Sequence, residues 1–113
     1  RGWRVVGIAR NRAGIDHPRY QHLNIDLSRV EDLEDRIEKE LSPMLAGARV
    51  AQIALINSAA SPGLLGTIER TDAAAMLKVY ALNVVAPACL MGWLIRLDPA
   101  GAIRTVVNIS SAR

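Results

Sequence analysis

The run "TVVNISSAR" (Thr105–Arg113) opens on β-branched Thr105, Val106 and Val107, passes through Asn108 and Ile109, and meets two serines, Ser110 and Ser111. The apolar part reads as a strand in a buried sheet. A strand finishing on two hydroxyls is either entering a surface loop or delivering a hydroxyl to a site. The rest of the chain has to distinguish these.

Working outward, three more apolar runs have strand character. "RVVGIA" (4–9) reads as a strand buried on both faces. "QHLNID" (21–26) alternates apolar and polar positions. "VAQIALIN" (50–57) is rich in Ile and Leu. Helical patterns lie between them. In "DLSRVEDLEDRIEKEL" (26–41), Val30, Leu33, Ile37 and Leu41 recur at helical spacing, with charges on the other face. Ser28 and Glu31 stand three apart, as in a capping box, and acidic residues crowd the first turns, where they complement the helix dipole. "SPMLAGA" (42–48) is expected to end that helix. Thr71 or Asp72 can cap a long helical run, 73–97, and Pro87 inside it predicts a kink or break near Asn83.

The order is strand, strand, helix, strand, helix, strand. It predicts an α/β fold: a Rossmann-like, doubly wound parallel sheet with right-handed crossovers and helices on both faces. Residues 1–113 fit as part of one such domain. Half the residues are hydrophobic but none is Phe, so the core must come from Val, Ile, Leu and Ala. The formal charge of +3 is mild and scattered, which argues against nucleic acid as a partner. Cys89 is the single cysteine and can form no internal disulfide, which suits a reducing, cytoplasmic setting. Lys, Arg, Asn or Pro interrupts the longest apolar stretches, so none reads as a membrane span. No metal set is expected.

In open parallel sheets, ligands lie beyond the carboxyl ends of the strands. That rule singles out Arg10, Asp26, Asn57, Ser110 and Ser111. A basic residue after the first strand, such as Arg10 or Arg12, suits a 2′-phosphate and so NADP(H) over NAD(H); solvated loop arginines are the plainer alternative. Asp26 can accept a hydrogen bond from an adenine amino group, helped by the backbone of Leu27, or it can be a turn residue. After the third strand, the small side chains of Ser58, Ala59 and Ala60 let the backbone approach a ligand closely, and the Asn57 amide can lock the loop against the next strand. Asn83 is an amide in an apolar helix and needs partners: it can bend the helix or hold a water in a site. No Gly-x-Ser-x-Gly elbow marks Ser110 or Ser111 as a nucleophile. His17 and His22 read as loop residues, Cys89 as a core thiol, and Trp93 as packing.

Together and in this order, these segments resemble the short-chain dehydrogenase/reductase family. "LINSAA" (55–60) is similar to the family's Asn-Asn-Ala-Gly motif, "LNVVAP" (82–87) to the helix segment bearing its catalytic asparagine, and "VVNISSA" (106–112) to the strand bearing its catalytic serine. The wording of the chain is also similar to the sepiapterin- and benzil-reductase-like branch. The resemblance implies hydride transfer between NADPH and a small ketone or aldehyde, and a homo-oligomer formed through helix 71–97. It implies that Ser111 hydrogen-bonds the substrate oxygen and Asn83 holds a water. It also implies that Arg10, Asn11, Asp26, Leu27 and Asn57 to Ala60 serve the cofactor. Ala60 stands where the family has glycine.

The family's first strand and Gly-rich loop would precede Arg1, and its Tyr-x-x-x-Lys pair would follow Arg113. The chain is therefore expected to be an internal piece of a longer one. The family's first strand would lie between the first and third strands read here, and without it two apolar edges stay open. The chain is then not expected to fold alone. Two rival readings are a non-catalytic dinucleotide-binding relative and a structural α/β domain.

Overall fold

A computed structural model of the chain describes residues 2–63 and 66–110. Strand β1 (Val5–Ala9) pairs in parallel with β2 (Tyr20–Asn24), from Val5 opposite Tyr20 to Ala9 opposite Asn24. Strand β3 (Gln52–Asn57) pairs in parallel with β4 (Ile103–Asn108), from Gln52 opposite Ile103 to Asn57 opposite Asn108. Helix α1 (Leu33–Leu45) connects β2 to β3. A single 3-10 turn (Ile68–Arg70), α2 (Ala73–Tyr80), a π-helical turn (Ala81–Val85) and α3 (Ala86–Arg96) connect β3 to β4. The expected α/β class with parallel strands is present.

Parallel pairs joined by helices put the apolar faces of those helices on the strands. The core is a single cluster in which Leu23, Ile25 and Leu27 meet Leu33, Ile37 and Leu41 of α1 and Leu90, Trp93 and Leu94 of α3. Ile25, Leu33, Ile37 and Leu94 are the largest fully buried side chains. Burial of each stabilises by roughly 1.5–3 kcal/mol relative to exposure. Two polar links tie α1 to α3 at its rim. The Trp93 indole N–H donates to Glu38 Oε2 at 3.0 Å, and Arg96 lies 3.4 Å from Glu34.

Several local expectations change. The strands are not buried on both faces: Val5 and Val6 are exposed, and so is every residue of β4. Each sheet has two strands among the described residues, and α1 and α3 pack on each other. The Ser28–Glu31 capping box does not form, because α1 starts later, after Asp32, and Ser28 is engaged by Asp26 instead. Helix α1 does not stop at Ser42-Pro43 but runs through to Leu45; a proline this near the end removes one hydrogen bond and leaves only the last turn to tolerate it. Finally, Ala73–Arg96 is one helical run long and apolar enough, by length and composition, to cross a membrane. Ala86, Leu90, Trp93 and Leu94 on it are buried in the protein core.

The expected break near Asn83 is present as the π turn. Pro87 has no N–H to give the Asn83 carbonyl four residues earlier. The ladder loosens there, and the Ala86 N–H bonds to the Ala81 carbonyl five residues back.

Candidate functional site

The carboxyl ends of β1 and β2 and the loop after β3 border one groove of about 520 Å³. One wall is the end of β1, with Ala9, Arg10 and Asn11. The next is the segment after β2, Ile25 to Ser28. The loop after β3 contributes Ala59, Ala60, Ser61 and Gly63. The helix opposite closes it with Ala75, Lys78, Val79 and Leu82. Both two-stranded sheets therefore contribute to one site, at the place the strand-end rule assigns.

Asp26 is the carboxylate of the groove. Its Oδ1 accepts from the Ser28 backbone N–H at 2.9 Å and from the Ser28 hydroxyl at 2.6 Å. These bonds favour the ionised form, as does the nearby Arg10, and hold the Asp26 carboxyl below the usual aspartate range. Leu27 is buried in the core cluster and also lines the groove. Ala59 and Ala60 are exposed, with no side chain beyond Cβ to obstruct a ligand. Gly63 adopts φ +80°, in the left-handed region, and a Cβ there would meet Val79 at 3.7 Å.

Asn57 and Ser58 do not line the groove. Asn57 Nδ2 donates to Asn108 Oδ1 at 2.8 Å, tying the ends of β3 and β4 together as its strand-end position suggested. Arg12 is also away from the groove lining. Asn83 spans the π turn and the loop: its Oδ1 accepts from the Ser61 N–H at 2.9 Å and its Nδ2 donates to the Ser61 carbonyl at 2.8 Å. The amide thus finds its partners in the loop after β3 and positions the Ser61 backbone at the groove edge. Ser111 lies outside the described residues; Ser110, just past β4, is exposed.

Three polar groove residues escaped the sequence reading. Ser28 carried a signal that was read as a helix cap. Ser61 sat in a small-residue loop with nothing to mark it. Lys78 did have a mark: it interrupts an apolar series, Ala75, Val79 and Leu82, at helical spacing.

No family model matches the chain. No curated protein matches it either. Among solved structures, the chain is similar to a short-chain dehydrogenase/reductase from Burkholderia vietnamiensis, with a TM-score of 0.85 and 26% sequence identity. The likeness covers 96% of this chain and 51% of that one, so the chain spans about half the length of its structural relative. This likeness supports a relation to the short-chain dehydrogenase/reductase family and a partial Rossmann-like fold.

Proposed function

We propose that the chain forms the adenosine-binding half of an NADPH-dependent short-chain oxidoreductase that reduces a ketone or aldehyde. The observation that carries this reading is the convergence of Arg10, Asn11 and Asp26 on one groove with the small-residue loop after β3. The groove has the volume of a small-molecule site. Its chemistry fits an adenosine bearing a 2′-phosphate. Asp26, held ionised, accepts from the adenine amino group, and the Leu27 backbone borders the ring. Arg10 and Asn11 donate to the phosphate, where a guanidinium offers paired N–H groups. Ala59 and Ala60 leave room for the cofactor to approach the backbone.

NADPH, when bound, supplies the hydride. The chain's own residues hold the cofactor and order the sheet edge. Asn57 and Asn108 fix the relative height of β3 and β4. Asn83 fixes the Ser61 loop, and in this reading it also holds a water. Ser111 hydrogen-bonds the substrate oxygen in this reading. The proton donor is a tyrosine of a Tyr-x-x-x-Lys pair on a longer chain. We further propose a homo-oligomer through the exposed apolar surface of the 73–96 helix, in a cytoplasmic setting. Leu77, Tyr80, Val84 and Ile95 on this helix are exposed. The sepiapterin- and benzil-reductase-like branch is the subfamily proposed.

Titration of the full-length protein with NADPH and NADH, followed by nicotinamide fluorescence, tests the reading. Tighter binding of NADPH is expected. Binding of neither nucleotide overturns it.

A further inference from the structure

We propose that Lys78 is a second phosphate-facing cation of the groove and a determinant of its preference for a 2′-phosphorylated adenosine, an inference that rests on reading the groove as an NADPH site. Ala75, Lys78, Val79 and Leu82 recur at spacings of three, one and three and line the groove together. Three of the four are apolar, as packing requires. Lys78 is the exception, and no carboxylate pairs with it among the described residues.

Charge balance gives this lysine its consequence. The charged side chains lining the groove are Arg10, Asp26 and Lys78. Arg10 lies close enough to Asp26 to stabilise its carboxylate. An incoming dianion meets one cation and one anion on the strand side, Arg10 and Asp26. Without Lys78 the lining is neutral; with it the lining carries one net positive charge. Arg10 sits at the end of β1 and Lys78 on α2, so the cations come from two different elements of the groove. A lysine on a four-carbon stem presents a mobile point charge, which attracts a phosphate without demanding one geometry.

The test uses 2′,5′-ADP and 5′-AMP, which differ by the 2′-phosphate alone, with binding to the full-length protein measured by calorimetry at low and at high salt. Lys78→Gln is expected to weaken 2′,5′-ADP by about three- to fivefold at low salt, the scale of an exposed charge pair. It should leave 5′-AMP within about twofold, and flatten the salt dependence of 2′,5′-ADP binding, because screening acts on the charge removed. Lys78→Arg should restore both. An unchanged 2′,5′-ADP affinity in Lys78→Gln, or equal weakening of both nucleotides, overturns the role of Lys78 while leaving the groove assignment intact. Failure of the unsubstituted protein to bind either nucleotide overturns the groove assignment and this inference with it.

Discussion

At Asp26, two hydrogen bonds from Ser28 set the state of the carboxylate. The shorter comes from the hydroxyl, and removing it by Ser28→Ala is expected to move the Asp26 pKa back up toward its ordinary value, measured by NMR titration of the carboxyl carbon. The sign for stability follows from the lowered folded-state pKa. The bonds contribute fully above the ordinary aspartate pKa, and the contribution is lost as pH falls through the lowered value. Contact with an adenine amino group should therefore persist through mildly acidic pH. Arg10 acts at the same scale. Replacing a charged hydrogen-bond donor costs about 1.5–3 kcal/mol, so Arg10→Ala should weaken NADPH by about tenfold or more and NADH far less, read from the two dissociation constants.

The helical run from α2 to α3 is held by a small set of backbone and side-chain bonds around Asn83. Pro87 removes one N–H, the π turn absorbs the loss, and the Asn83 amide bridges to both backbone groups of Ser61. An amide that makes two bonds to a loop contributes about 1–2 kcal/mol. Asn83→Ala is expected to destabilise the full-length protein by that amount in urea unfolding. It should also speed hydrogen exchange at the Ser61 amide, since that N–H loses its acceptor. A purely helix-bending role for Asn83 would leave Ser61 exchange unchanged. Asp72, one of the two caps the sequence offered, begins the same run by accepting from the N–H groups of Ala74 and Ala75 at 3.3 and 3.1 Å.

At the scale of the whole molecule, one core joins two pairs of strands that do not pair with each other among the described residues. Leu94 is 1% exposed at the meeting of α1 and α3, and Leu94→Ala should cost about 2–5 kcal/mol in denaturant unfolding of the full-length protein. β1 and β3 each keep an edge without a strand partner among the described residues. Val5, Val6 and Ile56 are exposed on these strands. Unpaired apolar edges are templates for association. A polypeptide of residues 1–113 is expected to associate or melt without cooperativity; a cooperative thermal transition of a monomer would contradict this.

The alternation of apolar runs with helical periodicity was enough for the α/β class, because a strand needs a 2-residue pattern or a short apolar run and a helix needs 3.6. Pro87 announced the break at Asn83 through chemistry it carries itself, a missing N–H. Arg10 and Asp26 were legible because they stand at strand ends, a place that parallel sheets reserve for ligands. Other features were settled only in three dimensions. Ser28 had two acceptable partners by spacing, and the Asp26 carboxylate won it from the helix. Asn83 needed partners, but that they are the N–H and carbonyl of Ser61, 22 residues away, depends on how the loop folds over the π turn. Lys78 reaches the groove only because α2 lies across the strand ends. The sequence by itself determined which segments become strands and helices and which side chains could bind an anion or a base, since these follow from local periodicity and chemistry. Tertiary structure decided which of them share one groove, because convergence depends on contacts between segments far apart in the chain.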